Sequence, residues 1–158
     1  MSKNRCGLYC TWSATQSITG NYSDVTLNVY IRIYDLYLGS RNLNMNINGD
    51  SADATIPKIS DSSQALHDVH LASRTVRVYH NASGAATIAL SAAYSYNGTY
   101  SDVYYGTITA STTVTLNGID RAAPTVTIST SGVTESAVTV SAVASTTCDV
   151  WQYSTDGG

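Results

Sequence analysis

The chain has 158 residues with 8 Lys and Arg against 11 Asp and Glu, and a net charge of -3 excludes the basic footprint of a nucleic-acid binder. Only 12% of the residues are charged, whereas 21 Ser and 21 Thr make up more than a quarter of the chain, beside 12 Tyr and no Phe. A single Glu with abundant Val, Thr and Tyr argues against a helical bundle and for strands with a hydroxyl-rich, nearly neutral surface.

The opening MSKNRCGLYC has no apolar stretch of signal-peptide length behind its basic residues, so export by that route is not expected. No apolar run reaches about 18 residues, and membrane insertion is not expected either. Leu8, Cys10, Trp12 and Ala14 alternate with Tyr9, Thr11 and Ser13, the period of a half-buried strand. In such a strand Cys6 and Cys10 lie about 13 Å apart, too far for a disulfide, whose Cα atoms sit within about 7 Å. With Cys148 they are expected as free thiols of a reducing cytoplasm.

Residues 19–24 are turn formers, and Asn21, Asn81 and Asn97 each head an N-x-Ser/Thr sequon read here as a turn. Val25, Leu27, Val29, Ile31 and Ile33 then face one way, and Thr26, Asn28, Tyr30 and Arg32 the other. Leu43, Met45 and Ile47 repeat the pattern against Asn42, Asn44, Asn46 and Asn48. Asn48-Gly49-Asp50 predicts a turn into a return strand through Ala54, Ile56 and Ile59, with Pro57 at an edge.

Residues 60–70 show no clear period and are expected to form a loop with room for one helical turn. Val76, Val78 and His80 alternate with Thr75, Arg77 and Tyr79 before a turn at 81–84, and Ala86, Ile88, Leu90, Ala92 and Tyr94 begin the next strand. Asn97-Gly98 signals a turn, and residues 107–116 give a further strand. About eight antiparallel strands predict an all-β fold, an antiparallel β-sandwich of jelly-roll type, over residues 1–120. A turn-rich stretch at 117–124 marks a boundary, after which the pattern restarts at 125–129, 137–142 and 149–153. Three strands are too few for a second sandwich. Residues 121–158 are therefore expected to be an incomplete β segment that continues in a longer natural chain or packs on the first domain or a neighbour.

Candidate chemistry is sparse. His67 and His70 would share a face in a helical turn and offer two imidazoles to a divalent ion, but no further ligands stand at a recognisable spacing, and a solvated loop is the plainer reading. Residues 48–53 offer oxygen ligands without the spacing or closing Glu of a helix-loop-helix calcium site. The Asn42, Asn44, Asn46 and Asn48 row is either a solvated strand face or a ladder of amides for a neighbouring strand, another subunit or sugar hydroxyls. His80 at a strand end is expected as a structural hydrogen-bonding residue. There is no G-x-S-x-G elbow, no Cys–His signature and no carboxylate pair singled out, so no enzyme and no cofactor are expected. Five Tyr between residues 94 and 105 either fill the core and its rim or present rings to a glycan. In the second case Tyr96, Asn97, Tyr100, Asp102 and Tyr104 are the contact residues.

Several segments together resemble one family. Residues 12–18 (WSATQSI), 21–29 (NYSDVTLNV), the turn from His80 to Gly84, the 94–110 stretch and the closing 116–121 are similar to a domain of siphophage minor structural and tail-fibre proteins, from phages of mainly Gram-positive bacteria. Ser83 stands where the family pattern has an acidic residue before Gly84. The resemblance implies a virion tail component made in the host cytoplasm, with no catalytic residues. Its implied partners are other copies of itself (a trimer among the forms), other tail proteins and host cell-wall polysaccharide, while the net charge already excludes nucleic acid. It also implies that the stretch from Ala123 opens an immunoglobulin-like module. The alternative is a carbohydrate-binding or adhesin module of a larger secreted bacterial protein.

Overall fold

In the computed structural model, which describes residues 6–100, 102–121 and 125–145, every regular element of the described residues is a β-strand. β1 (Gly7–Ser17) and β2 (Tyr22–Ile33) pair antiparallel without a break from Gly7–Arg32 to Ser17–Tyr22. β3 (Tyr37–Leu38) leads into β4 (Arg41–Ile47), and Asn48-Gly49, at φ 53° and 90°, turns the chain into β5 (Asp50–Ile56). Two positive φ angles in a two-residue loop match the strand twist, and Asn followed by Gly tolerates both. β6 (Ile59–Ser60) pairs with β3, and β7 (His67–Tyr79) returns to pair with β2. β8 (Thr87–Tyr100) joins β4, and β9 (Val103–Thr115) folds back on β8.

Two antiparallel sheets result, β1-β2-β7 and β5-β4-β8-β9, with the short β3-β6 ribbon beside them. Their facing sides form one core. β2 contributes Val25, Leu27, Val29, Ile31 and Ile33, β4 Leu43, Met45 and Ile47, and β8 Ile88, Leu90, Ala92, Tyr94 and Tyr96. Each of the Leu, Ile and Val side chains in that interior contributes about 1.5–3 kcal/mol relative to exposure. This is the β-sandwich expected from the alternation. Contacts divide the chain between Asp120 and Arg121 into two units. In the second, β10 (Val126–Ser131) and β11 (Thr139–Ala144) form an antiparallel pair from Val126–Ala144 to Ser131–Thr139. Cys148, the strand expected at 149–153 and the end at 151–158 lie outside the described residues, as do Ser101 and residues 122–124.

Two local expectations are corrected. Residues 67–70 are not loop or helix but the start of β7, and the missing period has a cause. Val29 pairs with Ala72 and Tyr30 with His70, so Leu71 is an extra residue. A bulge of this kind flips the alternation at the point where it is inserted. Asn97-Gly98 is likewise a bulge and not the hairpin turn. Ser95 pairs with Thr107 and Gly98 with Tyr105, Asn97 takes φ 44°, and β8 runs on to Tyr100. A Cβ on Gly98 would lie 3.3 Å from the Tyr96 ring, a tight approach that glycine avoids.

Tyr94 and Tyr96 fill the places that Phe takes in other cores, at 0% and 1% exposure, and neither hydroxyl has a hydrogen-bond partner among the described residues. A buried hydroxyl without a partner costs about 1–3 kcal/mol of desolvation. Tyr94→Phe and Tyr96→Phe are therefore expected to leave stability in urea unchanged or to raise it, while Tyr94→Ala costs about 3–5 kcal/mol. A loss above about 1 kcal/mol on removing either hydroxyl would show that it is bonded in solution.

Candidate functional site

The hairpin of β8 and β9 does not hold the tyrosine cluster that its sequence suggests. Tyr96 lies in the core against Tyr105, with ring centroids 5.4 Å apart, and cannot contact a glycan. Burial pushes its phenol well above the ordinary range. Tyr100 is half-buried and its hydroxyl donates to the Tyr34 carbonyl. Asn97, Asp102 and Tyr104 are exposed, Tyr104 by 68%. One fully presented ring remains of the five, because alternate positions of a strand must face the core.

The other candidates resolve into structural contacts. His67 and His70 stand on opposite faces of β7: His67 pairs with Ile33, while His70 pairs with Tyr30 and is exposed. His67 Nε2 lies 3.5 Å from Asp61, and the described residues hold no group of three His, Cys, Asp or Glu suited to a metal ion. In the asparagine row, Asn44 donates to Asp53 at 2.7 Å, and Asn46 accepts from the Gly49 amide at 2.9 Å. The ladder thus serves β5 and its turn, and Asp50 pairs with Arg74 at 2.6 Å. Cys6 and Cys10 are free, and burial pushes the Cys6 thiol up to about 11, which makes it a poor nucleophile.

Ser23 and His80 form a buried pair. The Gly84 carbonyl can only accept, so His80 Nδ1–H donates to it at 2.7 Å. In the neutral ring Nε2 then accepts from the Ser23 hydroxyl at 2.8 Å. This is the proton arrangement of a serine nucleophile and its base. Ser23 is 0% exposed, however, so its hydroxyl is not presented to solvent. The pair pins the 80–84 turn to β2, as expected of His80, and Asn21 supports it by donating to the His80 carbonyl at 3.0 Å.

The most organised solvent face lies on the outer side of β1-β2-β7, where strand register aligns side chains in rows of three. One row is Tyr9, Tyr30 and His70. The Tyr9 and Tyr30 rings stack at 5.1 Å and 13°, and His70 meets Tyr30 edge-on at 5.1 Å. The next row, Gly7, Arg32 and Asp68, sets the Arg32 guanidinium 5.4 Å from the Tyr9 ring and bonds it to both Asp68 oxygens at 2.8 and 2.9 Å. At the other end Arg77 lies 3.7 Å over Tyr22 and bonds both Asp24 oxygens at 2.9 and 3.2 Å. Tyr79, 69% exposed, packs edge-on to Tyr22 at 5.9 Å.

Between these ends the rows carry hydroxyls and an amide. Thr26 and Thr75 share a hydrogen bond of 2.8 Å, and Ser73 donates to Asn28 at 2.6 Å. With its proton so used, the Ser73 oxygen accepts from His70 Nε2–H at 2.8 Å. Tyr22 and Tyr30 lie about 26 Å apart along β2 at the usual strand rise. The face is thus a strip with aromatic ends, a hydroxyl-rich middle and charges that cancel in pairs. The sequence shows each member in its alternation, but only the register between β2 and β7 assembles them.

Hydrogen bonds from Arg32, and then from the Tyr9 hydroxyl, hold the Asp68 carboxyl down to about 2, and Arg77 lowers that of Asp24. A carboxylate depressed by folding stabilises the fold above its unfolded value near 4 and loses that contribution as pH falls through the folded value. Thermal stability is expected to fall between about pH 4 and pH 2, and the fall is smaller in Asp68→Asn, measured as melting temperature against pH. An equal slope in both proteins would remove Asp68 from the account.

No curated protein and no solved structure matches the chain. Residues 10–153 match the family model described as "Siphovirus protein of unknown function (DUF859)", so the chain belongs to this siphovirus family.

Proposed function

We propose that this siphovirus protein is a structural component of the virion tail, at its tip or fibre, and that it contacts glycan on the host cell surface. Its role is assembly and adhesion, not catalysis. The outer face of β1-β2-β7 carries this reading. Stacked and edge-on tyrosine rings offer apolar faces to sugar rings, and the threonine, serine and asparagine side chains between them offer hydrogen bonds to hydroxyls. Because both arginines are already held by Asp24 and Asp68, the strip suits an uncharged polysaccharide. This reading moves the contact from the β8–β9 hairpin, where Asn97 and Asp102 are exposed beside the single presented ring of Tyr104, to the opposite sheet. The hosts would have Gram-positive walls, the partners in the virion would be copies of this chain and other tail proteins, and residues from Arg121 onward would open an immunoglobulin-like module.

Binding of the full chain to purified wall polysaccharide of the phage host tests the reading. Tyr30→Ala and Tyr79→Ala are each expected to weaken binding by about tenfold or more, whereas Tyr104→Ala changes it by less than about twofold. Absence of binding by the wild-type chain, or loss in Tyr104→Ala alone, would overturn it.

A further inference from the structure

The four edge strands of the sandwich are unequal. On one side β7 carries Asp68, Arg74, Arg77 and a bulge, while β5 carries Asp50 and Asp53 and is followed by Pro57. These are the devices that keep a sheet edge from pairing with another chain. On the other side neither β1 (GLYCTWSATQS) nor β9 (VYYGTITASTTVT) has a charged residue or a proline. β1 is 11 residues long, pairs with β2 without a bulge, and among the described residues has no strand paired to its other edge.

The core face also stays open at β1. Trp12 and Ala14 pair with Leu27 and Val25, which are 0% exposed, yet Trp12 is 40% exposed and residues 11–16 all face solvent. Beneath them a cleft of about 370 Å³ is lined by Trp12, Ala14, Gln16 and Leu116. Trp12 and Ala14 are thus exposed at this margin, where a strand added beside β1 would set its own side chains next to theirs.

We propose that β1 is a self-pairing edge, and that a second copy of this chain adds its own β1 antiparallel to it about a two-fold axis. Such an interface is isologous, so every residue must tolerate its counterpart. An uncharged strand meets itself without opposing like charges. With the axis at Ser13, each Trp12 stands opposite the partner's Ala14, a large residue facing a small one in both halves of the interface. Two three-stranded sheets become one of six strands, and the polar outer faces join into a single strip. The choice of a copy as partner rests on the reading of this chain as a repeated virion component; the openness of the edge does not.

Sedimentation velocity of the full chain at micromolar concentration tests the proposal. The wild type is expected to form a discrete dimer. Ser13→Lys, which sets like charges face to face at the axis, is expected to be monomeric and folded, with the far-UV circular dichroism of the wild type and a melting temperature that no longer depends on protein concentration. Ala14→Lys places the charge on the inner side of the same strand and gives the same result should Ser13→Lys fold poorly. A wild type that stays monomeric, or a dimer equally tight in both folded variants, would overturn the proposal. Mass spectrometry of purified virions separates this from the wider reading, because absence of the chain from particles would remove that reading and leave the solution dimer standing.

Discussion

The pleat of β2 is the constraint on which the remaining structure depends. Successive side chains of a strand must point to opposite faces, so one 12-residue segment commits five aliphatic residues to the interior and Tyr22, Asp24, Thr26, Asn28, Tyr30 and Arg32 to the surface. The interior half draws β4 and β8 across from the other sheet. The surface half, read through antiparallel register with β1 and β7, becomes the strip. Core and candidate site are two consequences of one alternation, and a one-residue slip of β2 would exchange them. The Ser23–His80–Gly84 chain guards against such a slip at one end by fixing a buried residue of β2 to the turn that follows β7.

How much of this is legible in sequence depends on the range of the interactions. The alternations of β2, β4 and β8, the turn at Asn48-Gly49 and the structural role of His80 follow from neighbours along the chain. Leu71 and Asn97 do not, because a bulge removes the very periodicity by which a strand is recognised, so residues 67–70 pass for a loop and Asn97-Gly98 for a turn. Pairing of β2 with β7, from Tyr22–Tyr79 to Ile33–His67, is a long-range register that no local pattern carries. For that reason the tyrosines adjacent in sequence, 94 to 105, attract attention as a site, while those adjacent in space (Tyr9 with Tyr30, Tyr22 with Tyr79) do not. The opposed charges of Asp24 and Arg77, and of Arg32 and Asp68, are signals for the register, but they act only once the strands are aligned.

The chain's low charge also takes a more definite meaning. Three Asp–Arg pairs (Asp24–Arg77, Arg32–Asp68 and Asp50–Arg74) tie charged residues of β2, β7 and β5 together, and β1 and β9 carry no charge at all. Tyrosine is used in two ways. Tyr94 and Tyr96 serve as core rings whose hydroxyls gain nothing evident, and Tyr9, Tyr22, Tyr30 and Tyr79 serve as amphipathic surface rings braced by arginine and histidine. A neutral face for a neutral ligand and an uncharged edge for a neighbouring subunit are compatible on one small module, since one uses side chains above the sheet and the other the backbone at its margin.

The central claim is that the outer face of β1-β2-β7 is the surface on which ligand recognition takes place. Backbone amide chemical shifts of the full chain, followed by NMR during titration with host wall polysaccharide, test it residue by residue. The account predicts shifts clustered at residues 22–32 and 68–79 and at Tyr9, with residues 97–104 of the β8–β9 hairpin unmoved. Shifts confined to the hairpin, or no shifts with a polysaccharide that the intact phage adsorbs to, would contradict it.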